Sequence, residues 1–257
     1  MDYRALRDCC IKSSLCNLYI SKRPINACRG YRPPRRAWTW GDPHIKTLDG
    51  KQYTFNGLGE YVLLQTGNRS FILQGRTMRT ITNGSLSAAA TVFSGVATTE
   101  NNADIIQFSL NSAFNGIDVL VNSTVAFSMD SLLLNESREY TNVDIVKISN
   151  QSLAAVFSSG ISVEVTMLTE MLTITMNGPE EIKGDTAGLL GTWNDNIDDD
   201  FKKPDGTYLD INSTESQIYY DFGQLWAINI SDSLFTYPSD QSYYNYTDPE
   251  FTPIFGD

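Results

Sequence analysis

Seven consecutive residues, Asn194-Asp195-Asn196-Ile197-Asp198-Asp199-Asp200, carry six acidic or amide side chains and follow an apolar turn, Gly188-Leu189-Leu190-Gly191. Hard oxygens at this density, several of them anionic and on a bendable loop, are what a calcium ion requires. Zinc, copper and haem sites draw on His or Cys, and His44 is the only histidine. An EF-hand does not fit: a loop starting at Asn194 puts Asp199 at the obligatory glycine and Asp205 where a bidentate Glu belongs. The plainer reading of the segment is a solvated acidic turn. A second chemistry is possible at Asp42-Pro43-His44. An Asp carboxyl can close a five-membered ring onto its own carbonyl carbon, the proline nitrogen departs once protonated, and a histidine two residues on can relay that proton. The alternative is that Asp42 and His44 merely fix a turn.

A turnover enzyme is a poorer reading. Any Ser-His-Asp or Cys-His arrangement would need His44 as its base, and no Gly-x-Ser-x-Gly elbow is present. Two carboxylates brought together by the fold, as in a glycosidase, form the remaining catalytic alternative. The net charge of −11 is also unevenly spread. Residues 1–36 carry nine Lys/Arg against Asp2 and Asp8, so the body is strongly acidic and would repel nucleic acid. All four cysteines, Cys9, Cys10, Cys16 and Cys28, lie in that basic head. Their spacing lacks a paired C-x-x-C and reads as a disulfide framework, with three pairings open. Sequons occur at Asn68, Asn83, Asn122, Asn135, Asn150, Asn212, Asn229 and Asn245. Cysteines and sequons together point to the secretory pathway, with an extracellular or cell-surface location. No apolar run is long enough to span a membrane and no signal peptide opens the chain, so the expectation is a fragment of a longer exported protein. Any membrane anchor of that parent lies outside this chain.

The elements that must position these residues are mostly strands. Period-2 alternation at Phe71/Leu73, Ile106/Phe108/Leu110, Ile117/Val119/Val121, Ile161/Val163/Val165/Met167 and Leu172/Ile174/Met176 marks half-buried strands. The last two runs read as a hairpin turning at Leu168-Thr169-Glu170 and ending at Asn177-Gly178-Pro179. Thr214-x-x-Gln217 is a capping box, and Ile218, Phe222 and Leu225 follow at helical spacing, which predicts one short helix over 214–226. The fold class is all-β, a two-sheet antiparallel sandwich with a calcium loop, plus a small disulfide-rich N-terminal piece. The Tyr31-Arg32-Pro33-Pro34-Arg35-Arg36 hinge divides a head, 1–36, from a body, 37–230, and a Tyr/Pro-rich flexible strap follows over 231–257.

Gly41-Asp42-Pro43-His44-Ile45-Lys46-Thr47-Leu48-Asp49-Gly50 and Tyr53-Thr54-Phe55-Asn56-Gly57-Leu58-Gly59-Glu60-Tyr61 resemble the opening of a von Willebrand factor D domain. The Gly188 to Phe201 segment resembles its closing calcium loop. The resemblance covers roughly residues 41–230 and implies one calcium ion, held by Asp49, the Asn194 side chain, the Asn196 backbone carbonyl, Asp199 and Asp200. Two positions depart from the family pattern: Thr192 stands where many members have an Asn ligand, and Leu190 replaces a frequent Cys. The head, from Cys9-Cys10 to Tyr31-Arg32-Pro33-Pro34, resembles the C-terminal part of an AMOP module. That module precedes a D domain lacking its usual cysteines in large membrane mucins and sushi-domain-containing surface proteins. Mucin-type relatives cleave themselves at the Asp-Pro bond, so the resemblance implies one autoproteolytic cut at Asp42-Pro43 with the fragments held non-covalently. The implied function is a glycosylated, calcium-binding adhesion module whose partners are extracellular or cell-surface proteins or glycans and the rest of its parent chain. The alternative is a secreted calcium-dependent carbohydrate-binding or mineral-matrix protein.

Overall fold

A computed structural model describes residues 5, 7–22, 32–82 and 85–255. Fifteen strands dominate it: β1 (Arg35–Trp40), β2 (His44–Lys46), β3 (Gln52–Thr54), β4 (Glu60–Thr66), β5 (Phe71–Thr82), β6 (Ser85–Glu100), β7 (Ile106–Leu110) and β8 (Ile117–Val121). They continue as β9 (Thr124–Ser128), β10 (Ser137–Tyr140), β11 (Val143–Ser149), β12 (Ser152–Phe157), β13 (Ser162–Leu168), β14 (Met171–Gly178) and β15 (Thr186–Ala187). All pairings are antiparallel. One layer runs β10-β11-β12-β13-β14 and continues through β1, β2 and β3. The other runs β9-β8-β7-β6-β5-β4-β15, and the two join where Leu172 of β14 pairs with Phe93 of β6. Their apolar faces enclose one core, in which the Phe71 ring of β5 meets the Phe157 ring of β12 edge-on at 5.6 Å. This is the expected all-β, sandwich-like fold.

The period-2 runs behave as predicted. Alternate residues Val163 and Val165 of β13, and Leu172, Ile174 and Met176 of β14, are buried, and the hairpin closes with Leu168 opposite Met171 and Glu170 at φ +56°. β12 is different, because all six of its residues are buried. Leu153, Ala155 and Phe157 enter the main core, whereas Ala154 and Val156 lie with Val146 beneath Leu15 of the head. A strand covered on both faces loses its alternation and reads as a plain apolar run.

The head holds a short helix, α1 (Cys16–Lys22), tied back by a Cys10–Cys16 disulfide. Cys9 is a free thiol rather than half of a bridge; burial is the main cause that pushes its pKa to about 11. Cys28 and Asn83 lie outside the described residues. The expected helix over 214–226 divides in two: α2 (Glu215–Asp221), started by the Thr214/Gln217 capping box, and a 3-10 turn, Gly223–Trp226. Phe222 leaves helical geometry at the join, and a side chain on Gly223 would sit 2.2 Å from the Phe55 ring, so the chain turns to bring its backbone against that ring. The strap is irregular but fastened rather than loose: Phe235 and Phe251 are buried, and Tyr243 donates to the Ile228 carbonyl at 2.6 Å. Among the described residues no helix is long and apolar enough to cross a membrane.

Candidate functional site

The acidic loop closes against the turn that follows β2. Leu48 N–H donates to the Leu190 carbonyl at 3.0 Å, and Leu190 N–H donates to that of Leu63, so the Gly188-to-Gly191 turn is sewn between β4 and the Asp49-Gly50 turn. Gly191 has φ +81°, and a Cβ there would lie 2.4 Å from Asp200 Oδ1. Only glycine satisfies both the left-handed backbone and this approach.

The predicted ligands Asp49, Asn194, Asn196, Asp199 and Asp200 do come together here. Asp49 Oδ2 accepts the backbone N–H groups of Asn194 (2.8 Å) and Asn196 (3.2 Å). Asp199 Oδ2 accepts from the Asn194 side-chain amide at 2.7 Å. Asp200 is fully buried; its Oδ2 accepts from the Thr47 hydroxyl at 2.6 Å and its Oδ1 from Thr192 N–H at 3.1 Å. Burial, then the Asp49 and Asp199 charges, push its pKa up to about 7 against the pull of those hydrogen bonds. Asp49 Oδ1 and Asp199 Oδ1 are both buried with no hydrogen-bond partner. Orphaned carboxylate oxygens beside a third buried carboxyl are what a cation would satisfy. Among the described residues no three His, Cys, Asp or Glu side chains are placed so that they could hold a metal ion by themselves, so amide and backbone oxygens would have to complete any shell.

Sequence reasoning missed four participants. Thr47 ties the turn together, since its hydroxyl also accepts from the backbone N–H groups of Gly50 (3.1 Å) and Lys51 (2.8 Å). Thr192, read only as a departure from the family pattern, donates its hydroxyl to the Asp199 carbonyl at 2.9 Å. Arg35, counted only as head charge, reaches from β1 to Asp195 Oδ1 (2.5 Å) and towards Asp49 Oδ1 (3.8 Å), and Lys183 also pairs with Asp195. Lys183 first and Arg35 second hold the Asp195 carboxyl below the usual range. Oppositely charged residues at this sequence separation leave no local signal.

Asp42-Pro43 occupies the turn between β1 and β2, opened by Gly41 at φ +62°. His44 Nε2 lies 3.3 Å from Asp42 Oδ1, and its Nδ1 is 2.9 Å from the Thr54 hydroxyl. The imidazole is thus fixed from β3 while its other nitrogen faces the Asp42 carboxyl. Asp248, of the other Asp-Pro link, has its carboxyl engaged by Arg79 (3.4 Å) and by Glu250 N–H (3.1 Å). The seven described sequon asparagines, Asn68, Asn122, Asn135, Asn150, Asn212, Asn229 and Asn245, are all exposed.

Residues 37–207 match the von Willebrand factor type D domain. The chain is 38% identical to human Mucin-4 over 252 residues, 95% of this chain and 4% of that protein. It is 33% identical to human Sushi domain-containing protein 2 over 253 residues, 96% of this chain and 30% of the relative. Protein mesh of Bombyx mori is 33% identical over 254 residues, 92% of this chain and 16% of its own length. The chain therefore spans a minor part of these relatives. With the opening turn and the closing loop in their expected places, this chain belongs to the von Willebrand factor type D domain family.

Proposed function

We propose that this chain is a structural and adhesion module of an extracellular or cell-surface glycoprotein of mucin or sushi-domain type, stiffened by calcium and cut once at Asp42-Pro43. Residues 1–36 act as the end of an AMOP-like module, 37–230 as the D domain and 231–257 as its strap. Partners are other surface proteins or glycans and the rest of the parent chain. The observation that carries the calcium reading is the pair of buried oxygens without a hydrogen-bond partner, Asp49 Oδ1 and Asp199 Oδ1, beside buried Asp200. Asp49, Asp199 and Asp200, with the Asn194 side chain and the Asn196 carbonyl, would hold the ion. When bound, it supplies the positive charge that offsets carboxylates otherwise repelling one another across the loop. Calcium should raise the melting temperature of the chain, by an amount equivalent to about 2.7 kcal/mol at a hundredfold excess over Kd. The double variant Asp199→Ala/Asp200→Ala should show no increase; equal melting of the wild type in chelator and in millimolar calcium would rule the assignment out.

Cleavage is supported by the contact between His44 Nε2 and Asp42 Oδ1. The Asp42 carboxylate attacks its own carbonyl carbon, the C–N bond breaks as Pro43 nitrogen takes a proton through His44, and water opens the resulting cyclic anhydride. Asp248-Pro249 should stay intact, because its carboxylate is already bound to Arg79 and Glu250. After the cut, β1 remains hydrogen-bonded between β14 and β2, so fragments 1–42 and 43–257 should co-purify. They should separate on a denaturing gel without reductant, since every cysteine precedes residue 42. Intact mass of the secreted chain checks this: Asp42→Ala should remain whole and His44→Ala should cut slowly, whereas an uncut wild type, or equal cutting at both Asp-Pro bonds, defeats the proposal.

A further inference from the structure

We infer that Arg35 is a built-in competitor for the calcium loop, a guanidinium on the first strand that sets calcium affinity and links the loop to the head–body hinge; this rests on the calcium reading above. Three observations place it there. Its Nη2 is 3.8 Å from Asp49 Oδ1, a buried oxygen with no hydrogen-bond partner. The same nitrogen lies 2.5 Å from Asp195 Oδ1, and the guanidinium stands 5.9 Å from the centre of the Trp193 ring. Arg35 also opens β1, directly after Pro33-Pro34, and its backbone is in register with Gly178 of β14.

A cation at Asp49 Oδ1 and a guanidinium less than 4 Å from that oxygen repel each other, so both cannot take full advantage of one carboxylate. Asp195 resolves the conflict. It lies outside the ligand set inferred for the ion and is shared by Arg35 and Lys183, so it offers the guanidinium a second anchor one side chain away. Calcium entry moves Arg35 off Asp49 and onto Asp195 alone. The N-terminal end of β1 then loses one of its ties to the body, while its strand pairing with β14 and β2 is retained. Lys183 contacts Asp195 and Glu180 but not Asp49, so it contributes charge without competing for the ligand.

The test measures calcium binding to the full chain by calorimetry, with Trp fluorescence as a second signal, for wild type, Arg35→Gln, Arg35→Lys and Lys183→Gln. Arg35→Gln should tighten Kd by roughly three- to tenfold at low salt, with less gain at 0.15 M because the pair is partly exposed. Arg35→Lys should stay near wild type, and Lys183→Gln should gain less than Arg35→Gln. Hydrogen exchange of residues 35–38 should speed up when calcium is added to the wild type but change little in Arg35→Gln. Unchanged or weaker binding by Arg35→Gln would overturn the inference while leaving the calcium site standing. No binding by the wild type would remove the calcium reading itself, and this inference with it.

Discussion

In chelator, the chain should lose stability as pH rises from 5 to 8, the reverse of ordinary carboxylate behaviour, and calcium should abolish that loss. The cause is Asp200, whose carboxyl is fully buried and titrates near 7. Between the unfolded value of about 3.8 and the folded value of about 7, the native state keeps a proton that the unfolded chain has released. The unfolded state then binds fewer protons, so stability falls through this window and levels off above it. The whole shift corresponds to a penalty on the order of 4 kcal/mol, of which about 2.7 kcal/mol falls between pH 5 and 8, roughly 5–10 °C in Tm for a domain this large. Asp144, also raised mainly by burial, works in the same direction. Asp104, Glu181, Asp195 and Asp205 are lowered, so their contribution is lost only as pH falls below the ordinary carboxylate range. Asp200→Asn isolates the effect. Its amide oxygen keeps the bond from Thr192 N–H, while the Thr47 hydroxyl, which already accepts from Gly50 and Lys51 N–H, turns its proton to the Lys51 carbonyl at 3.4 Å, so the variant loses the bond to Thr47 equally at every pH. Melting of Asp200→Asn in chelator should vary far less between pH 5 and 8 and respond to calcium at neither. A wild-type slope persisting in Asp200→Asn would show that another group carries it.

What the sequence discloses of this fold depends on how local the cause is. β13 and β14 are legible because each has one wet face, and the hairpin between them closes over a short turn. β12 is not, since the head covers its second face and removes the polar half of the pattern. The acidic loop is legible because acidic density in a short segment is itself local, whereas its meeting with Asp49 is legible only through the resemblance of the opening turn, since the two stand 145 residues apart. Thr47 is invisible for the opposite reason: its partner Asp200 is 153 residues away, and a lone threonine in a strand-rich chain has no distinguishing context. The helical spacing of the sequence runs on to Leu225, past the actual end of the helix at Phe222, because the contact that ends it, Gly223 against Phe55, is purely tertiary.

The strap beyond residue 230 lies outside the matched span, 37–207, yet its removal should cost the body several kcal/mol. Glu60 of β4 and Arg76 of β5 are cross-strand partners; Glu60 Oε1 accepts from Arg76 Nε at 2.9 Å, and both side chains are buried. The strap completes their shell. Ser233 and Tyr237 hydroxyls donate to Glu60 at 2.6 and 2.9 Å, and the Arg76 guanidinium sits 4.2 Å from the Phe235 ring centre and 3.8 Å from that of Tyr246. Buried Gln74 and Gln107 accept the strap's Leu234 and Thr236 N–H groups at 2.7 and 2.8 Å. Ending the chain at residue 230 therefore removes two buried phenylalanines, Phe235 and Phe251, worth about 1.5–3 kcal/mol each, together with the cation–π contacts. In the full chain, Arg76→Met leaves Glu60 buried with hydroxyl donors only, and should cost about 3–5 kcal/mol. In the truncated chain the same substitution should cost far less, because Glu60 then meets water. The two changes are thus expected to be strongly non-additive by denaturant titration. Additive losses would mean that the strap and the ion pair stabilise the body independently, and that Arg76 is held by β4 and β5 alone.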